Sequence, residues 1–177
     1  LGRKIVRLDP GSAFGTGSHP STRLCIEALD QYPPIGQTIA DLGCGSGILS
    51  LTALKLGAKN TYSVDTDSLA ISATKTNSDL NDFPEDILNV FLGSIEEIES
   101  NMPKKKIDLL LCNILAPVIK LLGPDFEKII GHKGKVILSG LLVEQIQELQ
   151  EFFVPLGWKI LEVKTKGQWA LIVLTLD

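Results

Sequence analysis

The sequence predicts an α/β protein: a doubly wound, mostly parallel sheet that ends in an antiparallel hairpin. Three observations carry this expectation. From residue 37 onward, short apolar runs alternate with longer segments of helical periodicity, the signature of repeated strand–helix units. Ile107–Cys112 is a nearly pure apolar run, as expected of a strand buried on both faces. Leu (28) and Ile (18) make up about a quarter of the 177 residues while aromatics are only 6%, which suits a sheet between helices better than an aromatic-rich sandwich. A chain of this length fits the usual size of one domain.

Each element has a local reason. Residues 9–18 hold Pro, three Gly and several small polar residues, and must form a loop. A helix follows, with Ser18 or His19 as cap, Pro20 in the first turn and Leu24, Ala28 and Leu29 as its apolar stripe. Pro33, Pro34 and Gly36 end it. Thr38–Leu42 reads as the first strand, Ile48–Leu56 as a helix stopped by Gly57, and Thr61–Val64 as the second strand. Asp67 and Ser68 open a helix over Leu69–Leu80, and Ile87–Leu92 is the third strand. After the fourth strand, Ile107–Cys112, a helix is expected over Pro117–Ile130. A strand over Gly134–Ser139 and a helix over Val143–Phe153 come next. Trp158–Val163 and Trp169–Thr175, joined around Lys166 and Gly167, form the closing hairpin.

Charge and cysteine content exclude several classes of function. The net charge is −4, whereas a nucleic-acid binder usually carries a basic face. The Lys104–Lys106 run reads as a solvated loop, so a basic protein or cationic small molecule is the better partner. Cys25, Cys44 and Cys112 are odd in number and far apart, which fits reduced thiols in a cytoplasm rather than a disulfide framework. With only His19 and His132 added, no zinc-type ligand cluster is expected. No stretch approaches the ~20 apolar residues that span a bilayer. The chain starts at Leu1 with no signal peptide, so a fragment is expected.

In doubly wound sheets ligands sit at the carboxyl ends of the strands, near the reversal of strand order. After strand one the chain reads Asp41-Leu42-Gly43-Cys44-Gly45-Ser46-Gly47 and then a helix. Alternating glycines let the backbone approach a ligand and aim helix-start amides at it. The dinucleotide fingerprint would need a third Gly where Ile48 stands, and the phosphate loop is absent. Asp65 closes strand two, 22 positions beyond Gly43, the place from which a carboxylate accepts ribose hydroxyls. Asp67 competes for that role, but its place before Ser68 and Leu69 suits helix capping. Asn113 closes strand four with an amide that can both donate and accept; its plainer reading is a cap for the helix near Pro117. His19 reads as a cap or loop-packing residue before it reads as a base, and His132 as a turn residue. Trp169 reads as a strand residue of the core or a wall near a substrate. Glu144 and Gln145 open a helix and can serve its first turn.

The Asp-x-Gly-x-Gly-x-Gly turn resembles motif I of Rossmann-like class I S-adenosylmethionine-dependent methyltransferases. Four segments together narrow the resemblance: Phe14-Gly-Thr-Gly-Ser-His-Pro-Ser-Thr22, Asp41 through Leu49, Asn113-Ile-Leu-Ala-Pro117, and Leu138-Ser-Gly-Leu-Leu142. From about residue 8 onward the chain closely resembles the ribosomal protein L-eleven methyltransferase (PrmA) family. Ser21 stands where that family more usually has Thr and keeps the hydroxyl.

The resemblance implies S-adenosylmethionine as cofactor, bound by Thr22, Gly43, Gly45, Asp65 and Asn113, with no metal. It implies methyl transfer to lysine or N-terminal amines of ribosomal protein L-eleven, with Asn113 as the residue at the reacting centre. Residues 1–36 would form a lead-in, loop and helix covering the cofactor, and residues 37–177 the catalytic core. The family's N-terminal substrate-recognition domain would be absent from this chain. A sulfonium methyl is already activated, so the protein's task is alignment and desolvation of a neutral amine. The scarcity of ionisable side chains in 113–117 agrees. Three readings compete: methylation of another protein's lysines, a catalytically silent cofactor-binding domain, and an NAD-dependent oxidoreductase.

Overall fold

A computed structural model describes residues 3–11, 16–84, 86–102 and 106–176. The chain forms α1 (Pro20–Gln31), β1 (Thr38–Leu42), α2 (Ile48–Lys55), β2 (Asn60–Asp65), α3 (Ser68–Leu80), β3 (Leu88–Leu92) and α4 (Ile95–Asn101). It continues through β4 (Ile107–Asn113), α5 (Ala116–Leu122), α6 (Phe126–Ile129), β5 (Ile130–Leu142), α7 (Ile146–Phe153), β6 (Trp158–Lys166) and β7 (Trp169–Leu176). The seven strands lie in the order β3-β2-β1-β4-β5-β7-β6. β1 to β5 run parallel, and β7 lies antiparallel between β5 and β6. Both the doubly wound sheet and the closing hairpin are as the sequence predicts.

The core has two layers because the central strands bury both faces. Ala40, Leu42, Leu110 and Cys112 face Ile95, Ile119, Phe126 and Phe153 of α4 to α7. Ile39, Leu109, Leu111 and Ile137 face Leu24, Cys25 and Leu29 of α1 and Leu49 of α2. α1 is thus part of the core packing, held there by the stripe its sequence displays. At the lower edge of β1, Asp108 accepts the Thr38 amide at 2.8 Å.

The structure departs from the sequence reading in three places. α4 went unread; its signals are Ser94 followed by two glutamates in the first turn and the buried pair Ile95 and Ile98. The helix expected over Pro117–Ile130 is broken. Gly123–Asp125 forms a 3-10 turn between α5 and α6. A Cβ on Gly123 would stand 2.9 Å from the Phe153 ring, and Pro124 donates no amide. Ile130 belongs instead to β5, paired with Ile107. β5 also runs on past Ser139 to Leu142, with a register shift between Leu138 and Leu141. Of the Lys104–Lys106 run, Lys104 and Lys105 lie outside the described residues, and Lys106 donates to the Glu127 carbonyl at 2.9 Å.

Asp41 is buried where β1 meets its outgoing turn. Its Oδ2 accepts the Ser50 amide at 3.1 Å and the Ser50 hydroxyl at 2.5 Å, and that hydroxyl also meets Ser63 Oγ at 2.7 Å. The first turns of α2 are thereby fastened to both β1 and β2. Burial pushes the Asp41 carboxyl up to about 6, against the Ser50 bonds that pull it down.

Two stability predictions follow from buried polar groups. The Thr61 hydroxyl at the start of β2 is buried without a hydrogen-bond partner. Thr61→Val should therefore raise stability by about 1 kcal/mol, seen as a higher urea midpoint at unchanged slope. For Asp41, the folded state holds its proton to higher pH than the unfolded chain, so ionisation destabilises. The penalty is absent below about pH 4, grows up to about pH 6 and then stays level. Across that window the stability of the wild type relative to Asp41→Asn should fall by up to about 3 kcal/mol; a flat difference in urea unfolding at stepped pH would disprove it.

Candidate functional site

The site lies where strand order reverses, between the carboxyl ends of β1 and β4. The turn leaving β1 is pinned across the sheet: the amides of Gly43 and Cys44 both donate to the Val64 carbonyl, at 2.9 and 3.0 Å. Gly43 has φ +77°, and a Cβ there would lie 2.4 Å from Ile114 Cγ2. Only glycine lets the turn pass this close beneath the β4 loop.

The two candidate carboxylates have separate tasks. Asp65 Oδ2 accepts the Gly45 amide at 2.9 Å, and its Oδ1 accepts the Asp67 amide at 3.0 Å. Each oxygen keeps lone-pair capacity for a further donor. Asp67 instead caps α3, accepting the Leu69 amide at 2.9 Å. The capping role read from the sequence is the one observed.

A pocket of about 540 Å³ opens beside this turn, within the usual range for a small-molecule site. Thr22, Gly43, Gly45 and Asn113 all line it. Asn113 Nδ2 reaches Thr22 Oγ1 at 3.4 Å, joining β4 to α1 across the pocket. The alternative reading of Asn113 as the cap of α5 does not hold: that position is Leu115, and no side chain caps the helix. Asp65 does not itself line the pocket; it stands half-buried at the end of β2, beside the pocket-lining Gly45 whose amide it accepts.

Three further wall residues come from distant segments. Gly140 has φ +77°, and a Cβ there would meet the Ile114 carbonyl oxygen at 2.7 Å. His19 caps α1: its Nδ1 accepts the Ser21 amide at 3.3 Å and lies 2.7 Å from Ser21 Oγ. Accepting at Nδ1 leaves the proton of the neutral ring on Nε2. The His19 ring also meets Trp169 edge-on, with centroids 4.4 Å apart. His19 is thus both cap and wall, and Trp169 both β7 residue and wall. The signal for Gly140 was present in Leu138-Ser-Gly-Leu-Leu142, but its place in the pocket depends on the bend in β5.

Other candidates fall away from the pocket. His132 is exposed on β5. Gln145 Oε1 accepts the Leu142 amide at 2.9 Å, the helix-start role expected of it. Cys25, Cys44 and Cys112 are free thiols, all buried, and burial pushes Cys25 up to about 12. Among the described residues no group of three or more His, Cys, Asp or Glu could hold a metal, and no helix is long and apolar enough to cross a membrane. Of the glycine-rich loop, residues 12–15 lie outside the described residues, while Thr16 and Ser18 line the pocket.

The residues present fit a nucleoside-bearing cofactor. A glycine turn would clash if it carried side chains, a carboxylate stands beside it, and an amide–hydroxyl pair closes the far wall. Comparison with known proteins shows the family. The model of the family described as ribosomal protein L11 methyltransferase (PrmA) matches residues 2–177. A ribosomal protein L11 methyltransferase of Parasynechococcus marenigrum (strain WH8102) is 52% identical over 170 residues, covering 96% of this chain and 59% of that protein. This chain therefore spans about three fifths of that relative's length. The crystal structure of a ribosomal protein L11 methylase from Lactobacillus delbrueckii subsp. bulgaricus superposes with a TM-score of 0.87 at 29% identity, over 98% of this chain and 86% of that one. A 16S rRNA methyltransferase of T. thermophilus, solved with AdoMet and guanosine, shares the fold alone, with TM-score 0.74 and 17% identity over 96% of this chain and 46% of that one. The fold is the Rossmann-like class I methyltransferase fold, and the chain belongs to the ribosomal protein L11 methyltransferase (PrmA) family.

Proposed function

We propose that this chain binds S-adenosylmethionine and carries the methyl-transfer centre of an enzyme that methylates amines of ribosomal protein L11. One observation supports the reading above the rest. The turn after β1 is tied to Asp65 on one side and walls a pocket spanned by Thr22 and Asn113 on the other. In this reading residues 1–36 cover the cofactor, residues 37–177 form the core, and substrate recognition rests with a part of the protein outside this chain. The setting is the cytoplasm, where ribosomal proteins meet their modifying enzymes.

Bound S-adenosylmethionine supplies a methyl group already activated on a sulfonium. The chain's own residues then have three tasks. Asp65 accepts the ribose hydroxyls, with its carboxylate aimed by the amides of Gly45 and Asp67. Asn113, held by Thr22, offers its carbonyl oxygen to an amine N–H and so turns the nitrogen lone pair toward the methyl. Ile114 and Leu115 line the mouth with apolar surface and exclude water.

The nucleophile must be a neutral amine. A free lysine is neutral less than about one time in a thousand at pH 7, while an α-amine near 7.7–8 is neutral for a sizeable fraction. An apolar site beside a sulfonium cation lowers a lysine pKa further. No strong protein base is needed, and residues 113–117 present none.

Two experiments test the reading. By calorimetry the chain should bind S-adenosylhomocysteine and not NAD. Asp65→Ala should weaken that binding about 10- to 150-fold, while Asp67→Ala should cost about 1 kcal/mol of stability as a lost cap and leave affinity nearly unchanged. NAD binding without S-adenosylhomocysteine binding would overturn the assignment. For the substrate, mass spectrometry should show slow methylation of L11 by this chain, accelerated when the chain is extended to the full length of its relatives. No methyl transfer by either form would remove L11 as the acceptor.

A further inference from the structure

One face of α3 carries Thr74 and Asn77, with Asn81 one turn further on as the residue that closes the helix. These three polar side chains point inward and are buried or nearly so. Thr74 donates its hydroxyl to the Gly45 carbonyl at 3.0 Å. Asn77, fully buried, donates through Nδ2 to the Ser46 carbonyl at 2.8 Å and accepts the Asp9 amide at Oδ1 at 2.7 Å. Asn81 accepts the Arg7 amide at 2.9 Å and donates to the Arg7 and Asn77 carbonyls, both at 2.7 Å.

The two asparagines therefore grip the lead-in segment as a neighbouring strand would, by side-chain amides instead of backbone. They differ in one respect. Among the described residues the Asn81 side chain bonds only the strap and its own helix, whereas the Asn77 side chain bonds the strap on one side and the glycine turn on the other. Asp9 opens the loop whose residues Thr16 and Ser18 line the pocket. Ser46 sits in the turn that Asp65 holds by Gly45. An amide is the side chain that offers a donor and an acceptor from one small planar group. A buried amide that loses one partner is penalised, so the two contacts support each other.

We propose that Asn77 is a positioning residue for cofactor binding: its single amide sets the spacing between the chain at Asp9, seven positions before the pocket-lining Thr16, and the glycine turn. The inference rests on the cofactor reading above. Asn77 does not itself line the pocket, so it acts through the Asp9 and Ser46 backbones, while Thr74 of the same helix bonds the wall directly at Gly45.

The test compares S-adenosylhomocysteine affinity by calorimetry, stability by urea unfolding, and hydrogen exchange of the Asp9 amide. Asn81→Ala should lower stability and leave affinity within about twofold. Asn77→Ala should weaken affinity about tenfold and abolish the extra protection of the Asp9 amide that ligand confers on the wild type. Asp9→Pro removes the donor without altering α3, and should also weaken binding several-fold; it decides the matter if Asn77→Ala does not fold. Wild-type affinity in Asn77→Ala or in Asp9→Pro would overturn the proposal. So would affinity losses in Asn77→Ala and Asn81→Ala that simply track their stability losses. Failure of the unaltered chain to bind S-adenosylhomocysteine would instead sink the cofactor reading, and this inference with it.

Discussion

The parallel pairing of β1 with β4 is the constraint on which the rest of the structure depends. Ile39 to Leu42 lie in register with Leu109 to Cys112, and both strands bury apolar side chains on both faces. Such strands must sit at the centre of the sheet. Because β2 then adds on one side and β5 on the other, the connections after β1 and β4 diverge. The crevice between them is what remains uncovered, and it is there that the chain spends its polar residues.

Around the turn beside that crevice stand polar groups that are each fastened to backbone. Asp41 is held by Ser50, Asp65 by the amides of Gly45 and Asp67, and Asn77 by Ser46 and Asp9. A buried polar group left half-paired costs more than it contributes, so these networks either form completely or not at all. The result is a turn fixed at three points: by the Val64 carbonyl of β2, by Asp65 at its middle and by Thr74 of α3. Preorganisation of this kind matters because a ligand that meets a rigid turn does not have to order it.

The pocket's far wall is built differently. Thr22, His19, Asn113, Gly140 and Trp169 come from four elements and meet mainly by packing and by one long amide–hydroxyl contact. The glycine turn of the near wall and the apolar residues Ile114 and Leu115 of the far wall are the features on which the proposed methyl-transfer reading rests.

Local sequence alone determined the strands, the glycine turn and most helix starts, because these depend on near neighbours. The apolar run of β4, the Pro20 start of α1, the Asp67 cap and the alternating glycines all state their conformation within a few residues. α4 was too short for its periodicity to stand out, with barely two buried positions. The break at Gly123-Pro124 had a local signal in the proline, whereas the close approach of the Phe153 ring, thirty positions away, that requires glycine at 123 appears only in the fold. The same holds for the site. Gly43, Gly45, Asp65, Thr22 and Asn113 were legible as motif residues, yet only the folded chain sets Asp65 on the Gly45 amide and brings the other four into one pocket wall. Gly140 and Asn77 acquire their roles from backbone brought against them by β-sheet register and by a returning N-terminal segment. Local propensity acts over one turn of helix or one strand, whereas a site assembled from six segments is specified by packing between them.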